Sequence, residues 1–127
     1  LSSSSAASDV YKRQVYNEAF SELDVDLVLS GHDHLYARTY LMKGMKSTGN
    51  ASGLKKQGET LYLSGTSSTG SKFYEKESGK KGYIAFYDGE TEKTPLISAI
   101  TIQGKTLTIK TVRTTDMSVF DEITIRK

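Results

Sequence analysis

The apolar positions Val15, Tyr16, Ala19, Phe20 and Leu23 recur at the spacing of one helix face, so the spacing predicts the end of an amphipathic helix over Val15 to Leu23. Asp24-Val25-Asp26 turns the chain into Leu27-Val28-Leu29, a short run apolar on both faces. Such a run suits a strand buried inside a parallel or mixed sheet. Ser30-Gly31 ends it, and polar residues follow. Helix, tight turn, buried strand and polar loop make one half of an α/β unit, and ligands in such sheets sit beyond the carboxyl ends of the strands.

From Leu35 the pattern changes. Leu35 to Met42 reads as extended, and Lys43 to Gly58 as a Gly/Ser/Lys loop with few apolar residues. TLYLS (Thr60 to Ser64) and GYIAFY (Gly82 to Tyr87) predict strands around a Gly/Ser/Thr loop. Ile97 to Val112 alternates across Gln103-Gly104-Lys105, with Ile100 and Ile102 before the turn and Leu107 and Ile109 after it, which predicts a β-hairpin. Phe120 to Ile125 gives a last strand. One helix and about six strands, without an internal repeat, do not balance as a complete α/β domain. They predict the second half of a larger α/β layered protein.

Residues 1–14 (LSSSSAASDVYKRQ) carry almost no apolar pattern. They resemble a translated cloning adaptor, with a flexible native linker as the alternative, and contribute nothing to the fold expectation under either reading. The domain is therefore expected over 15–127. With 127 residues, 36% hydrophobic and 25% charged, the chain is expected to fold as one globular domain. A net charge of +2 gives no argument for nucleic acid or membrane binding. The chain has no cysteine, which excludes a disulfide framework and thiolate metal sites. No apolar run approaches the ~20 residues of a membrane span.

Both histidines of the chain, His32 and His34, lie two residues apart just after the apolar run. Alternate residues of an extended segment point to the same side, so the two imidazoles can project together while Asp33 points away. Gly31 before them leaves the backbone free to turn sharply. Neutral imidazole is the commonest side-chain ligand for transition metals. Two this close can share one ion, or each can hold one of two ions about 3.5–4 Å apart. A pair of loop histidines without a ligand is the competing reading; the strand and the preceding glycine favour the metal.

Gly31-His32-Asp33-His34 resembles the last metal motif, G-H-x-H, of the calcineurin-like metallophosphoesterases. The wider run SGHDHLYAR is similar to the purple acid phosphatase branch, with Tyr36 and Arg38 in the expected places. Leu61-Tyr62-Leu63-Ser64-Gly65-Thr66, then Phe73-Tyr74, and the closing segment from Gly104 to Glu122 continue the likeness over Val15 to Lys127. The resemblance implies the C-terminal, mostly β half of a layered αββα metallophosphoesterase sandwich. It implies a hydrolase of phosphate esters with two transition-metal ions, Fe with Zn, Mn or a second Fe, His32 ligating one ion and His34 the other. It also implies secretion.

The family's remaining ligands come from upstream motifs: Asp-x-His, a bridging Asp, an Asn-His pair and a further His. None is present, and Asp24 and Asp26 lie at the far end of the strand. A two-ion site needs roughly four ligands per ion. The chain by itself is therefore expected to be inactive, with the missing N-terminal half as its partner. A non-catalytic β-rich accessory or binding module with an incidental His pair is the alternative.

Other features are weaker. Gly65 to Lys72 (GTSSTGSK) nearly matches a phosphate-binding P-loop, but Ser71 holds the lysine slot and no amphipathic helix follows. A flexible loop near the metal site is the better expectation, with Lys72 and backbone N–H groups on the substrate side. Lys43, Lys46, Lys55 and Lys56 would form either a positive rim for a phosphorylated substrate or a solvated loop. Tyr36 and Arg38 are expected on His34's face, Arg38 pairing with a carboxylate that supports the histidines or within the core rim. Asn50-Ala51-Ser52 matches a glycosylation sequon, too short to weigh alone.

Overall fold

A helix over residues 14–22, α1, opens the structure, a computed structural model that describes residues 14–31, 34–70, 73, 81–88 and 93–127. The chain leaves α1 through Asp24, whose φ of +54° is the left-handed conformation that terminates helices and that Asp tolerates better than most residues. Ala19 and Phe20 are half-buried, and the Phe20 ring lies 6.4 Å from that of Tyr62. The Ser21 hydroxyl ties the helix down by donating to Gly58 O and accepting from Gly44 N. Val15, Tyr16 and Leu23, expected on the same buried face, are exposed.

Ten strands follow among the described residues: β1 Leu27–Ser30, β2 Tyr36–Thr39, β3 Met42–Lys43, β4 Lys46–Ser47, β5 Gly53–Leu54, β6 Leu61–Ser64, β7 Ile84–Asp88, β8 Leu96–Gln103, β9 Thr106–Arg113 and β10 Val119–Arg126. The first sheet has the order β1-β6-β2-β7, with β1 and β6 parallel and the rest antiparallel. The second has the order β5-β10-β9-β8, and β3-β4 is a separate small ribbon. The fold is thus mostly β with mixed sheets and one helix, consistent with an α/β domain. The expectation of about six strands falls short because β3, β4 and β5 are two-residue pieces inside the Lys43–Gly58 loop. Strands that short have no alternation to read.

Pleating sorts the side chains of β6. Tyr62 faces α1, while Leu61 and Leu63 turn to the second sheet and are fully buried. They form the core with Tyr36, Leu41, Leu96, Ile109, Ile123 and Ile125. Tyr36, Phe86 and Phe120 add mutual edge-to-face contacts, with centroids 5.3–5.7 Å apart, that join β2 and β7 to β10. The predicted hairpin is present: Ile100 faces Ile109, Ile102 faces Leu107, and Gly104 has φ +57° at the first turn position, as a type II′ turn requires.

One expectation fails in an informative way. The Leu27–Leu29 run reads as an interior strand, yet among the described residues β1 stands at the end of its sheet, and Leu29 is 56% exposed. Most of the leader, residues 1–13, lies outside the described residues.

Candidate functional site at the end of β1

Gly31 follows β1 directly, at its carboxyl end. A Cβ added there would meet nothing within 4 Å, and its φ is not left-handed, so the backbone does not demand glycine at this point. His32 and Asp33 lie outside the described residues. His34 is half-buried in a bend over residues 34–35 that leads into β2. The two-residue alternation that puts Tyr36 and Arg38 on one face begins at Tyr36, and the bend separates them from His34.

Tyr36 and Arg38 point into the sandwich instead. Arg38 Nε donates to Asp121 Oδ2 at 2.7 Å and Nη2 to Oδ1 at 3.1 Å, a two-pronged pair between β2 and β10. The side chains are 9% and 8% exposed. Arg38 Nη1 reaches Ala51 O at 3.4 Å. Tyr36 OH donates to the same Asp121 Oδ2 at 2.9 Å and lies 3.3 Å from Thr111 Oγ1, which in turn is 2.8 Å from Ser98 Oγ. Burial pushes the Tyr36 phenol up; the Thr111 hydroxyl opposes this and the Asp121 carboxylate adds to it. The network crosses both sheets and satisfies a buried ion pair on every side. Of the two roles open to Arg38, it makes the core pair.

The described part of the Gly/Ser/Thr loop, residues 65–70, enters the same end of the first sheet. Gly65 N donates to Ser30 O at 3.3 Å, and Leu96 N to Ser67 O at 3.4 Å. Gly70 is required here: its φ is +75°, and a Cβ would come 2.8 Å from Pro95 Cγ. Ser71 and Lys72, and with them the proposed anion contact of Lys72, lie outside the described residues. Between this loop, β1 and β8 opens a cavity of about 270 Å³ lined by Leu29, Ser30, Leu63, Thr66, Ile97 and Ile100. Thr66 Oγ1, on its wall, is buried without a hydrogen-bond partner among the described residues.

The carboxylates nearest in sequence sit at the opposite end of β1. Lys55 Nζ lies 2.6 Å from Asp24 and 2.9 Å from Asp26, and Lys127 Nζ reaches the same two at 2.9 and 3.1 Å. The Lys55 ammonium, the Gly58 N–H and the Lys127 ammonium hold the Asp24 carboxyl well below the usual carboxylate range. Burial pushes Asp26 up, but the Lys55 and Lys127 ammoniums outweigh it and its value falls. Lys55 is therefore a buried structural cation, while Lys43, Lys46 and Lys56 are exposed.

Among the described residues no group of three or more His, Cys, Asp or Glu side chains could hold a metal ion. These donors alone do not fit a two-ion centre. Asp121 is the polar residue that sequence reasoning passed over as a partner. It sits at the irregularity in the β9–β10 register between Val119 and Asp121, which the mixed polar and apolar sequence of the strand (VFDEITIR) does not announce.

No protein-family model matches the chain, and no curated protein does. Among solved structures, the chain is similar to a purple acid phosphatase isolated from yellow lupin (Lupinus luteus) seeds. The TM-score is 0.71 at 19% sequence identity, over 87% of this chain and 19% of that one. This likeness is one of fold. The chain spans about a fifth of the length of the phosphatase it matches.

Proposed function

We propose that this chain is the C-terminal part of a metal-dependent phosphoesterase of the purple acid phosphatase kind. The observation that supports the reading is that Gly31, which opens the sequence Gly31-His32-Asp33-His34, lies directly beyond the carboxyl end of a parallel strand in a fold shared with such a phosphatase. In open α/β sheets that is where ligands bind. His32 and His34 are the imidazole donors of a binuclear centre for hydrolysis of phosphate esters. The remaining donors come from an upstream part of the parent polypeptide, within an αββα sandwich. Arg38 and Tyr36 act through the core, fixing the strand that follows the histidine loop. Secretion of the parent goes with this reading. Among the described residues no helix is long and apolar enough to cross a membrane.

The test is made on the parent polypeptide, extended through the coding sequence upstream of Val15. We expect about two transition-metal ions per chain and hydrolysis of p-nitrophenyl phosphate. Either His32→Ala or His34→Ala should empty one metal position and nearly abolish turnover. Full metal occupancy and activity in both variants would sink the assignment. No metal in the unaltered parent would favour the β-rich binding module.

A further inference from the structure

We infer that Asn50 is the acceptor of an N-linked glycan, and that the first sugar of that glycan covers Leu54 and guards the open side of β5. The inference goes beyond the hydrolytic reading and rests on one part of it, the secretion of the parent.

The chain has two asparagines, Asn17 and Asn50, and only Asn50-Ala51-Ser52 matches the acceptor sequon. Its surroundings give the tripeptide weight. Asn50 lies between β4 and β5, flanked by Gly49 at φ +74° and Gly53 at φ +98°. These left-handed glycines fold the segment into a tight surface loop. Its backbone is anchored: Leu41 N donates to Asn50 O at 2.8 Å, and Asn50 N to Thr48 Oγ1 at 3.2 Å. Around it, residues 45–49, Ser52 and Leu54 are exposed.

The Asn50 side chain closes an Asx turn, its Oδ1 accepting from Ser52 N at 3.2 Å. That turn accounts for the asparagine but not for the serine, since any residue except proline supplies the N–H. Among the described residues Ser52 gives the loop this N–H alone, so its hydroxyl is left for an enzyme that reads the sequon.

A second observation concerns where the sugar would stand. Lys55 N turns to β10 and donates to Arg126 O at 2.7 Å, so alternation turns the Leu54 carbonyl to the open side of β5. Asn50 Nδ2 already occupies that carbonyl, at 3.2 Å. The Leu54 side chain beside it is 68% exposed. The atom that accepts the glycan therefore sits on an unpaired sheet edge, next to a bared apolar residue. The C–H face of a pyranose ring is apolar and packs on such a leucine. A bulky, solvated glycan at this place also keeps a further strand from adding to β5.

The co-reactant is an oligosaccharide joined through its anomeric carbon to a polyprenyl diphosphate. Asn50 Nδ2 forms a bond to that carbon, the bond from the carbon to the diphosphate oxygen breaks, and the lipid diphosphate leaves. One amide proton is lost to the medium. The other stays on Nδ2 and can keep the contact with Leu54 O.

The test uses the parent polypeptide with a secretory leader, produced in a eukaryotic host. Proteolysis after Lys46 and Lys55 isolates the peptide 47–55 for mass spectrometry. It should carry a glycan that peptide N-glycosidase removes, leaving Asp at position 50. Ser52→Ala should lose the glycan, and Ser52→Thr should keep it. A bare Asn50 in the secreted, unaltered parent would overturn the site. The contact with Leu54 has its own readout. Glycosylated parent should show a higher urea midpoint than Ser52→Ala, and the difference should vanish in a Leu54→Ser background. The same pair made in bacteria without the transferase should have equal midpoints. Equal midpoints from the eukaryotic host would overturn the covering of Leu54. A glycan on a parent that lacks metal and hydrolysis would uphold the site and remove the phosphatase. Metal and hydrolysis with a bare Asn50 would do the reverse.

Discussion

Asp121 accepts from Arg38 twice and from Tyr36 once inside a sandwich where water cannot replace any of them. Removing one ion of such a pair strands the other, so Arg38→Ala should cost about 3–5 kcal/mol of stability. Replacing both ions with apolar side chains, Arg38→Met with Asp121→Leu, should cost much less, because no buried charge is left alone. Tyr36→Phe, which deletes one bond to a charged acceptor, should cost about 1.5–3 kcal/mol. Urea midpoints of the three variants check the order, and a double variant no better than Arg38→Ala would contradict it. Glycines divide the same way. Gly70→Ala meets Pro95 at 2.8 Å with φ at +75° and should cost at least about 1–3 kcal/mol. Gly31→Ala meets nothing and should stay within about 0.5 kcal/mol, although it touches the histidine motif.

At the scale of elements, the amino end of β1 is fixed by charge and its carboxyl end leads into Gly31. Asp24 and Asp26 are both held below their usual value of 3.8. Their folded values lie below their unfolded ones, so the unfolded chain binds protons first as pH falls. The stability they contribute is complete above about pH 4 to 5 and is lost progressively as pH falls through and below 3.8 toward the folded values. Denaturation midpoints measured from pH 6 to 2.5 should therefore fall more gently in Asp24→Asn than in the unaltered chain. Parallel curves would show that the Lys55 and Lys127 contacts contribute nothing.

What was legible in the sequence follows element length and separation. The β8–β9 hairpin was readable because eight-residue strands alternate around a glycine turn. The end of β1 at Ser30-Gly31 was readable because its signal, an apolar run closed by serine and glycine, is local. Asp24–Lys55 and Arg38–Asp121 were not, since nothing along the chain says which distant charge a buried charge will meet. The edge position of β1 was misread for another reason: its sequence describes two neighbours, and the described residues supply one.

For the molecule as a whole, the donor count governs metal affinity. Two imidazoles can hold a transition metal only weakly, so titration of the 127-residue chain with Zn²⁺ should give at most weak binding, removed by His34→Ala. Tight uptake of two ions would mean that the described residues hold ligands in an arrangement other than this one.

The two sheets also differ in how their pairings are spaced along the chain. The second is mainly a meander, β8 to β9 to β10, each strand bonded to its successor across a short turn. The first depends on Leu27 finding Leu61 in a parallel pair, with β2 to β5 between them. Loop closure makes the distant pairing slower. During folding the meander should form early, and β1 should join late. Substitutions in β9 should then slow refolding, while substitutions in β1 should mainly hasten unfolding. The strand that delivers the histidines would be the last to commit to the structure and the first to leave it.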